Sequence, residues 1–179
     1  MIRWKFTYDK DEEQDWLNEY AQRGWAMTNF FAGVVTFVPC RPGEYIYQID
    51  LLPGKGLWAD DYEGYVIFMN EMGVEVLQRW GRWVYLRKRA EEGPFEAYTD
   101  AASKIDLYRR IRALFLWTLV VIGGCSVNAF SLWARFPEDM FARGLGGLYI
   151  VFLAVLLRAV WQCTRKMKSL EIDREGEGR

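Results

Sequence analysis

The last third of the chain contains two long apolar runs. Residues 113–134 carry no charged side chain, and residues 145–164 carry one, Arg158. A helix needs about 20 apolar residues to cross a bilayer, so both runs are long enough. The pattern predicts two transmembrane helices, joined by an external loop at residues 135–144, that form a hairpin anchor in the lipid bilayer.

The first half of the chain shows shorter patterns that occur twice. Trp4, Phe6 and Tyr8 alternate with polar residues, which is the period of a half-buried strand, and a helical pattern and two further strands follow. The same order recurs with a shift of about 49 residues. The sequence therefore predicts an α+β domain at residues 1–98, made of a duplicated β-α-β-β unit. We expect one six-stranded antiparallel sheet with two helices on one face.

Positive charges flank the apolar runs and indicate their orientation. Lys and Arg cluster just before the first run and just after the second. Because positive flanks stay in the cytoplasm, we expect a multi-pass protein of the cell membrane with both termini cytoplasmic. A juxtamembrane helix is expected at residues 99–112 and a cytoplasmic tail at residues 165–179, which should be disordered from Glu171 onward. The clustered cations are Arg109, Arg110 and Arg112, then Arg165, Lys166 and Lys168.

The residue types argue against several classes of function. Residues 1–100 hold 11 Lys or Arg and 17 Asp or Glu, a net charge of −6, which disfavours direct binding of nucleic acid. The chain has no His, the commonest general base and metal ligand. Cys40, Cys125 and Cys163 are too scattered for a zinc site. We therefore expect no catalytic, cofactor-binding or metal site, and no enzymatic activity.

Aromatic residues are the stronger indication of function. Residues 1–100 contain six Trp and eight Tyr, more than a small core needs. Val84 and Leu86 fit the core side of their strand, which leaves Trp83 and Tyr85, with Trp58 in a nearby loop, as a candidate docking surface. This surface could be covered by the domain's own loop, a partner protein, a second protomer, a small molecule or the membrane surface, because exposed apolar patches usually mark binding sites.

Small residues in the first apolar run suggest how the transmembrane helices pack. Gly123 and Gly124 would allow two helices, or two protomers of a homo-oligomer, to approach closely. In an antiparallel hairpin, Asn128 would meet Tyr149 across the interface. These four residues are the predicted packing residues of the membrane anchor.

Several segments together carry a resemblance to a known family. They are DWLNEYAQRGW, PGEYIYQIDLL, WGRWVYLRKR and FEAYTDAASKIDLYRRI. The chain resembles, over about residues 1–115, the bacterial family called domain of unknown function 2812. The resemblance implies a cytoplasmic region that precedes membrane helices, encoded beside PadR-type transcriptional regulators. The family has no established activity, so the resemblance implies no catalytic residue.

These observations lead to two expectations of function. The first is a membrane-tethered cytoplasmic sensing or docking module. It would bind a partner protein or ligand and regulate transcription indirectly, together with a PadR-type regulator. The second is a non-catalytic accessory subunit of a membrane complex such as an exporter.

Overall fold

The computed structural model describes residues 1–54, 60–98, 100–135 and 140–177, without the side chains of 126–130, 132–134, 140–143, 145 and 175–177. The chain forms two compact units, Met1–Asp100 and Ala101–Arg179.

The order β-α-β-β occurs twice in the first unit, as the sequence predicts. An Asp side chain caps the start of each helix: Asp9 accepts a hydrogen bond from the Asp11 amide, and Asp61 accepts one from the Gly64 amide. The elements are β1 (Ile2–Trp4), α1 (Lys10–Gln22), β2 (Trp25–Phe31), β3 (Val34–Pro39), β4 (Tyr45–Leu51), α2 (Tyr62–Glu71), β5 (Glu75–Trp80) and β6 (Trp83–Arg89).

The expectation of a single six-stranded sheet is wrong. The strands form two three-stranded antiparallel sheets, sheet A in the order β1-β3-β2 and sheet B in the order β4-β6-β5. The facing edge strands β2 and β5 each carry a bulge in the ladder to their own central strand, at Thr28 in the β2–β3 pair and at Leu77 in the β5–β6 pair. The Gln78 side chain joins the two edges: it accepts from the Phe30 N–H at 2.7 Å and donates to the Phe30 carbonyl at 2.5 Å.

The two helices of the first unit lie on opposite faces of sheet B, whereas the sequence suggested one face. Leu17 of α1 packs in a core cluster with Tyr85. Met69 of α2 packs in a second cluster with Val84 and Leu86. Successive strand residues point to opposite faces, so β6 is covered on both sides and its apolar residues do not alternate with polar ones.

Helix α1 also protects the outer edge of sheet B. The Asn18 side chain accepts from the Tyr47 N–H at 2.8 Å and donates to the Tyr47 carbonyl at 3.0 Å. The Gln14 side chain accepts from the Ile49 N–H at 3.2 Å. These bonds give β4 the partners that a neighbouring strand would supply, which lowers the risk of edge-to-edge association.

The second unit consists of two long helices, α3 (Ala101–Arg135) and α4 (Met140–Glu177). They pack antiparallel, because the Tyr149 hydroxyl donates to the Ile122 carbonyl at 2.7 Å and the Lys166 ammonium lies 5.6 Å from the centre of the Tyr108 ring. Buried residues at spacings of three and four line the contact: Leu107, Ile111 and Leu114 on α3, and Leu156, Ala159, Cys163 and Met167 on α4.

The predicted transmembrane hairpin is not supported in the form expected. In the described part of the chain, one segment, Gly146–Arg174 of α4, is long and apolar enough to cross a membrane. The other predicted span, residues 113–134, includes side chains that are not described. The structure therefore gives one candidate membrane helix.

The predicted boundaries of the second unit also change. The juxtamembrane helix expected at 99–112 is the first part of the continuous helix α3. The expected tail at 165–179 is helical to Glu177, because its Glu, Lys and Arg residues are good helix formers. The expected external loop at 135–144 includes residues 136–139, which lie outside the described residues.

Candidate docking surface

The predicted docking residues are not exposed together. Tyr85 is 3% exposed and belongs to the core, so its assignment to an exposed surface is wrong. Trp83 is half-buried and packs against the same core. Trp58 lies outside the described residues. The error has a physical cause: β6 is the central strand of sheet B and has a helix on each face.

The exposed aromatic residues lie on sheet A instead. Trp4 is 69% exposed and Phe31 is 68% exposed. Val34 of β3 pairs with Trp4 on one side and with Phe31 on the other. Directly opposed residues project from the same face of a sheet. These three residues therefore form one row across the outer face of sheet A.

Two further rings extend this row. Phe6 is 74% exposed, and its ring centre lies 6.0 Å from that of Trp4. Trp80, at the end of β5, lies 5.4 Å from Phe31. We call the exposed set of Ile2, Trp4, Phe6, Phe31 and Trp80 the aromatic face.

The turn between β2 and β3 holds the aromatic face in place. Gly33 has a φ of +81°, a conformation that suits Gly better than other residues. A Cβ added to Gly33 would lie 2.7 Å from the Phe6 ring, so the ring rests directly against the turn. The next residues inward, Phe30 and Val35, are buried in the core.

The outer edge of β1 is open. Met1 and Phe37 exchange backbone hydrogen bonds at 2.6 and 2.7 Å, and the Lys5 N–H donates to the Gly33 carbonyl at 2.8 Å. Along an antiparallel strand, every second residue forms hydrogen bonds with the partner strand. Met1 and Lys5 bond in this way, so the backbone N–H and C=O groups of Ile2 and Trp4 point away from β3. No described strand pairs with that edge. The free backbone groups thus adjoin the aromatic face.

Charged groups lie beside the same edge. The Lys5 ammonium forms an ion pair with Glu12 at 2.6 Å. Glu13, one residue on, accepts a hydrogen bond from the Tyr85 hydroxyl at 2.8 Å. Burial raises the pKa of Glu13 above the usual 4.5, and the Tyr85 hydrogen bond and the Lys5 charge lower it in part. The N-terminal end of α1 is thus fixed to both β1 and sheet B.

A second feature of the first unit is the segment 93–98, which we call the strap. The Gln48 side chain donates to the Phe95 carbonyl at 2.6 Å and accepts from the Ala97 N–H at 2.8 Å. The Tyr98 hydroxyl donates to the buried Asp50 carboxylate at 2.9 Å. The ring of Phe95 is buried against α2 and sheet B. The strap thus fixes the end of the first unit to β4.

The Asp50 carboxylate is surrounded by donors. It is 1% exposed and accepts hydrogen bonds from the hydroxyls of Tyr65 and Tyr98 and from the Leu51 N–H. A buried carboxylate with several donors is a stabilising polar cluster. Among the described residues, no three or more Cys, Asp or Glu side chains are grouped so that they could hold a metal ion.

The predicted packing residues of the helix pair are only partly brought together. Tyr149 does reach α3, where its hydroxyl bonds Ile122. A Cβ at Gly123 or Gly124 would meet no described atom within 4 Å, so no described part of α4 packs closely against these glycines. The side chain of Asn128 lies outside the described residues.

One feature of the sequence does indicate an exposed aromatic residue in β2. Phe30 and Phe31 are adjacent in β2, so one of the two rings must point away from the core. Trp4 and Phe6 alternate with polar residues and therefore share one side of the strand, which we predicted to face the core, but both rings are exposed. β1 is only three residues long, and the burial of so short an edge strand is hard to predict from its residues.

Comparison with known proteins gives one match. A family model described as "Protein of unknown function (DUF2812)" matches residues 9–120. The searches of curated proteins and of solved structures gave no match.

Proposed function

The chain belongs to the DUF2812 family of proteins of unknown function, so the family assigns it no role. From the exposed surfaces of the chain itself, we propose that it is a membrane-tethered docking protein. In this proposal, the second unit anchors the chain and the aromatic face binds a partner protein. The observation that carries the proposal is the aromatic face beside the open edge of β1.

The anchor is proposed from α4. Only 17% of its most apolar window is buried, which disfavours the alternative of a core helix in a soluble protein. Ile150 and Leu157 of α4 are 68% and 60% exposed. Exposure of these apolar side chains to water is unfavourable, and the lipid chains of a bilayer would contact them instead. Leu116 and Val120 of α3 are also exposed. We therefore propose that α3 enters the bilayer beside α4, with both termini cytoplasmic.

The docking mode is proposed from the backbone of β1. An extended segment of a partner can add a strand to an open sheet edge, where main-chain hydrogen bonds give affinity and side-chain contacts give specificity. The edge groups of Ile2 and Trp4 supply the hydrogen bonds. The rings of Trp4, Phe6 and Phe31 supply apolar contact, and Trp is enriched among residues that carry binding energy.

The partner that we propose first is a PadR-type regulator, which the family resemblance implies. Capture of such a regulator at the membrane would alter transcription without any DNA contact by this chain. The strap ends at Tyr98 and α3 begins at Ala101, and we propose that the state of the docking unit passes along the chain from the strap to the anchor.

A binding experiment with matched variants tests this function. The full-length protein, solubilised in mild detergent, is used to retain the purified PadR-type regulator and, separately, proteins of the native membrane. The double change Trp4→Ser and Phe31→Ser should abolish retention, and Ile67→Ser with Phe68→Ser, two exposed residues of α2, should not. Equal retention by both double variants would overturn the docking assignment.

A backbone variant separates strand addition from simple apolar contact. Ile2→Pro removes an N–H on the open edge and leaves the bonds to β3 in place. Ile2→Ser removes the same side chain and keeps the N–H. We expect weaker binding for Ile2→Pro than for Ile2→Ser, with similar thermal midpoints.

The accessory-subunit alternative is favoured by the same exposed apolar surface of α4, which could contact another membrane protein. In that case a large membrane protein would be retained through the second unit, and the aromatic-face variants would retain it as well as the wild type does. The two functions therefore give opposite results in the same experiment.

A further inference from the structure

Positively charged residues of α3 and α4 cluster at the same position along the helix pair. Tyr108 and Lys166 are in contact across the pair, so the cationic stretches of α3 and α4 lie side by side. We call this set the basic collar: Arg109, Arg110, Arg112, Arg165, Lys166 and Lys168.

The six cations of the collar outnumber the carboxylates near them. Asp106 is the sole carboxylate of α3, and α4 has none from residue 140 to residue 170, after which Glu171 and Asp173 follow. Asp106 pairs with Arg109 at 3.2 Å and with Arg110 at 3.5 Å. Arg165 and Lys168 are exposed, so the collar presents net positive charge to its surroundings.

The collar lies at the border of the exposed apolar surface. On α3, the chain beyond Arg112 becomes apolar, with Trp117 56% exposed. On α4, Trp161 is 57% exposed, and the Arg165 guanidinium lies 5.5 Å from the centre of its ring. Exposed Trp residues collect at the level of the lipid headgroups, which places the cations at the same level.

We propose that the basic collar binds anionic phospholipid headgroups and thereby selects negatively charged lipids around the anchor. Clustered Lys and Arg beside a membrane helix attract an anionic leaflet, and the apolar surface next to them accommodates the acyl chains. This inference uses the membrane anchorage proposed above and does not depend on the docking of a partner.

Spin-labelled lipids test the selection directly. The full-length protein is reconstituted in phosphatidylcholine vesicles that contain a trace of spin-labelled phosphatidylglycerol or spin-labelled phosphatidylcholine, and the fraction of label immobilised by the protein is measured. The collar should favour the anionic label by about fivefold. This preference should weaken at high salt, because salt screens exposed charges.

Matched variants assign the effect to the collar. The triple change Arg109→Gln, Arg165→Gln and Lys168→Gln should reduce the preference to near one. The triple change Arg109→Lys, Arg165→Lys and Lys168→Arg keeps the three charges and should retain the preference for the anionic label. It is the control for damage to the helices by substitution at these positions. Neutralisation of three exposed cations of the first unit, Arg23, Arg41 and Arg79, should leave it unchanged.

Four other results would overturn the inference. Equal immobilisation of both labels, or a preference that survives the triple neutralisation, would remove the lipid site. Loss of the preference with inorganic phosphate, but not with chloride of equal ionic strength, would indicate a site for free phosphate. Immobilisation of neither label would show that the proposed anchorage itself fails, independently of lipid choice.

Discussion

Three side-chain amides act as substitutes for strand pairing in the first unit. Asn18 bonds both backbone groups of Tyr47, and Gln78 bonds both backbone groups of Phe30. Gln48 bonds the Phe95 carbonyl and the Ala97 N–H. Each amide has a donor and an acceptor, so one side chain satisfies two backbone groups that the sheets leave unpaired.

The first prediction concerns the amide that joins the two sheets. Gln78→Ala should lower the free energy of unfolding of residues 1–100 by about 1–3 kcal/mol, because it leaves the partly buried Phe30 backbone groups without a partner. Urea unfolding followed by Trp fluorescence measures the change. Gln22→Ala, at an exposed position, is the control. Equal losses for the two variants would mean that the junction contributes nothing specific.

The second prediction concerns pH. Burial raises the pKa of Glu13 above 4.5, so the folded chain keeps this proton to a higher pH than the unfolded chain does. The contribution of Glu13 to stability is therefore greatest below about pH 4.5 and is lost as the pH rises through the folded pKa. Glu13→Gln does not titrate and keeps an acceptor for Tyr85.

Urea unfolding at several pH values checks this prediction. The free energy of unfolding of the wild type, minus that of Glu13→Gln, should fall as the pH rises from about 4.5 and then become constant. Glu71→Gln, at an exposed position, is the control for the substitution. A difference that rises with pH over this range would contradict the burial of Glu13.

At the level of elements, the repeat was predictable and the pairing of strands was not. The alternation in β4 and the helical spacing in α2 depend on local patterns, and the structure contains both elements. Whether β2 and β5 pair with each other depends on how the two repeats pack, which no local pattern specifies, so the split between the sheets could not be foreseen. Tyr85 was misassigned because a strand covered on both faces lacks alternation.

The strap gives the third prediction. A fragment of residues 1–100 should unfold in one cooperative transition, and residues 1–92 should be markedly less stable. Loss of the buried Phe95 alone removes about 1.5–3 kcal/mol of apolar stabilisation, and Asp50 and Gln48 lose hydrogen-bond partners. Thermal and urea unfolding of both fragments measure the difference. Phe95→Ala within residues 1–100 should reproduce much of the loss.

The opposite result would also be informative. If the fragment of residues 1–92 were as stable as that of residues 1–100, the strap would not be part of the folded unit. The proposal that the state of the docking unit passes through the strap would then have no structural basis.

At the level of the whole molecule, composition indicated the division between an α+β unit and an apolar helical unit, and the structure contains both units. The apolar runs at 113–134 and 145–164 are visible in the sequence alone, and one candidate span at Gly146–Arg174 follows from the structure. The location of the docking surface was not predictable, since the exposure of Trp4 and Phe31 depends on how sheet A is assembled from three separate strands.

The central claim is that the aromatic face of sheet A binds a partner protein. Site-specific photo-crosslinking in native membranes tests it most directly, with a photoreactive phenylalanine analogue in place of Phe31 or, as the matched control, Phe68 of α2. We expect one discrete crosslinked protein from position 31 and none from position 68. No adduct at position 31, or the same adduct at both positions, would contradict it.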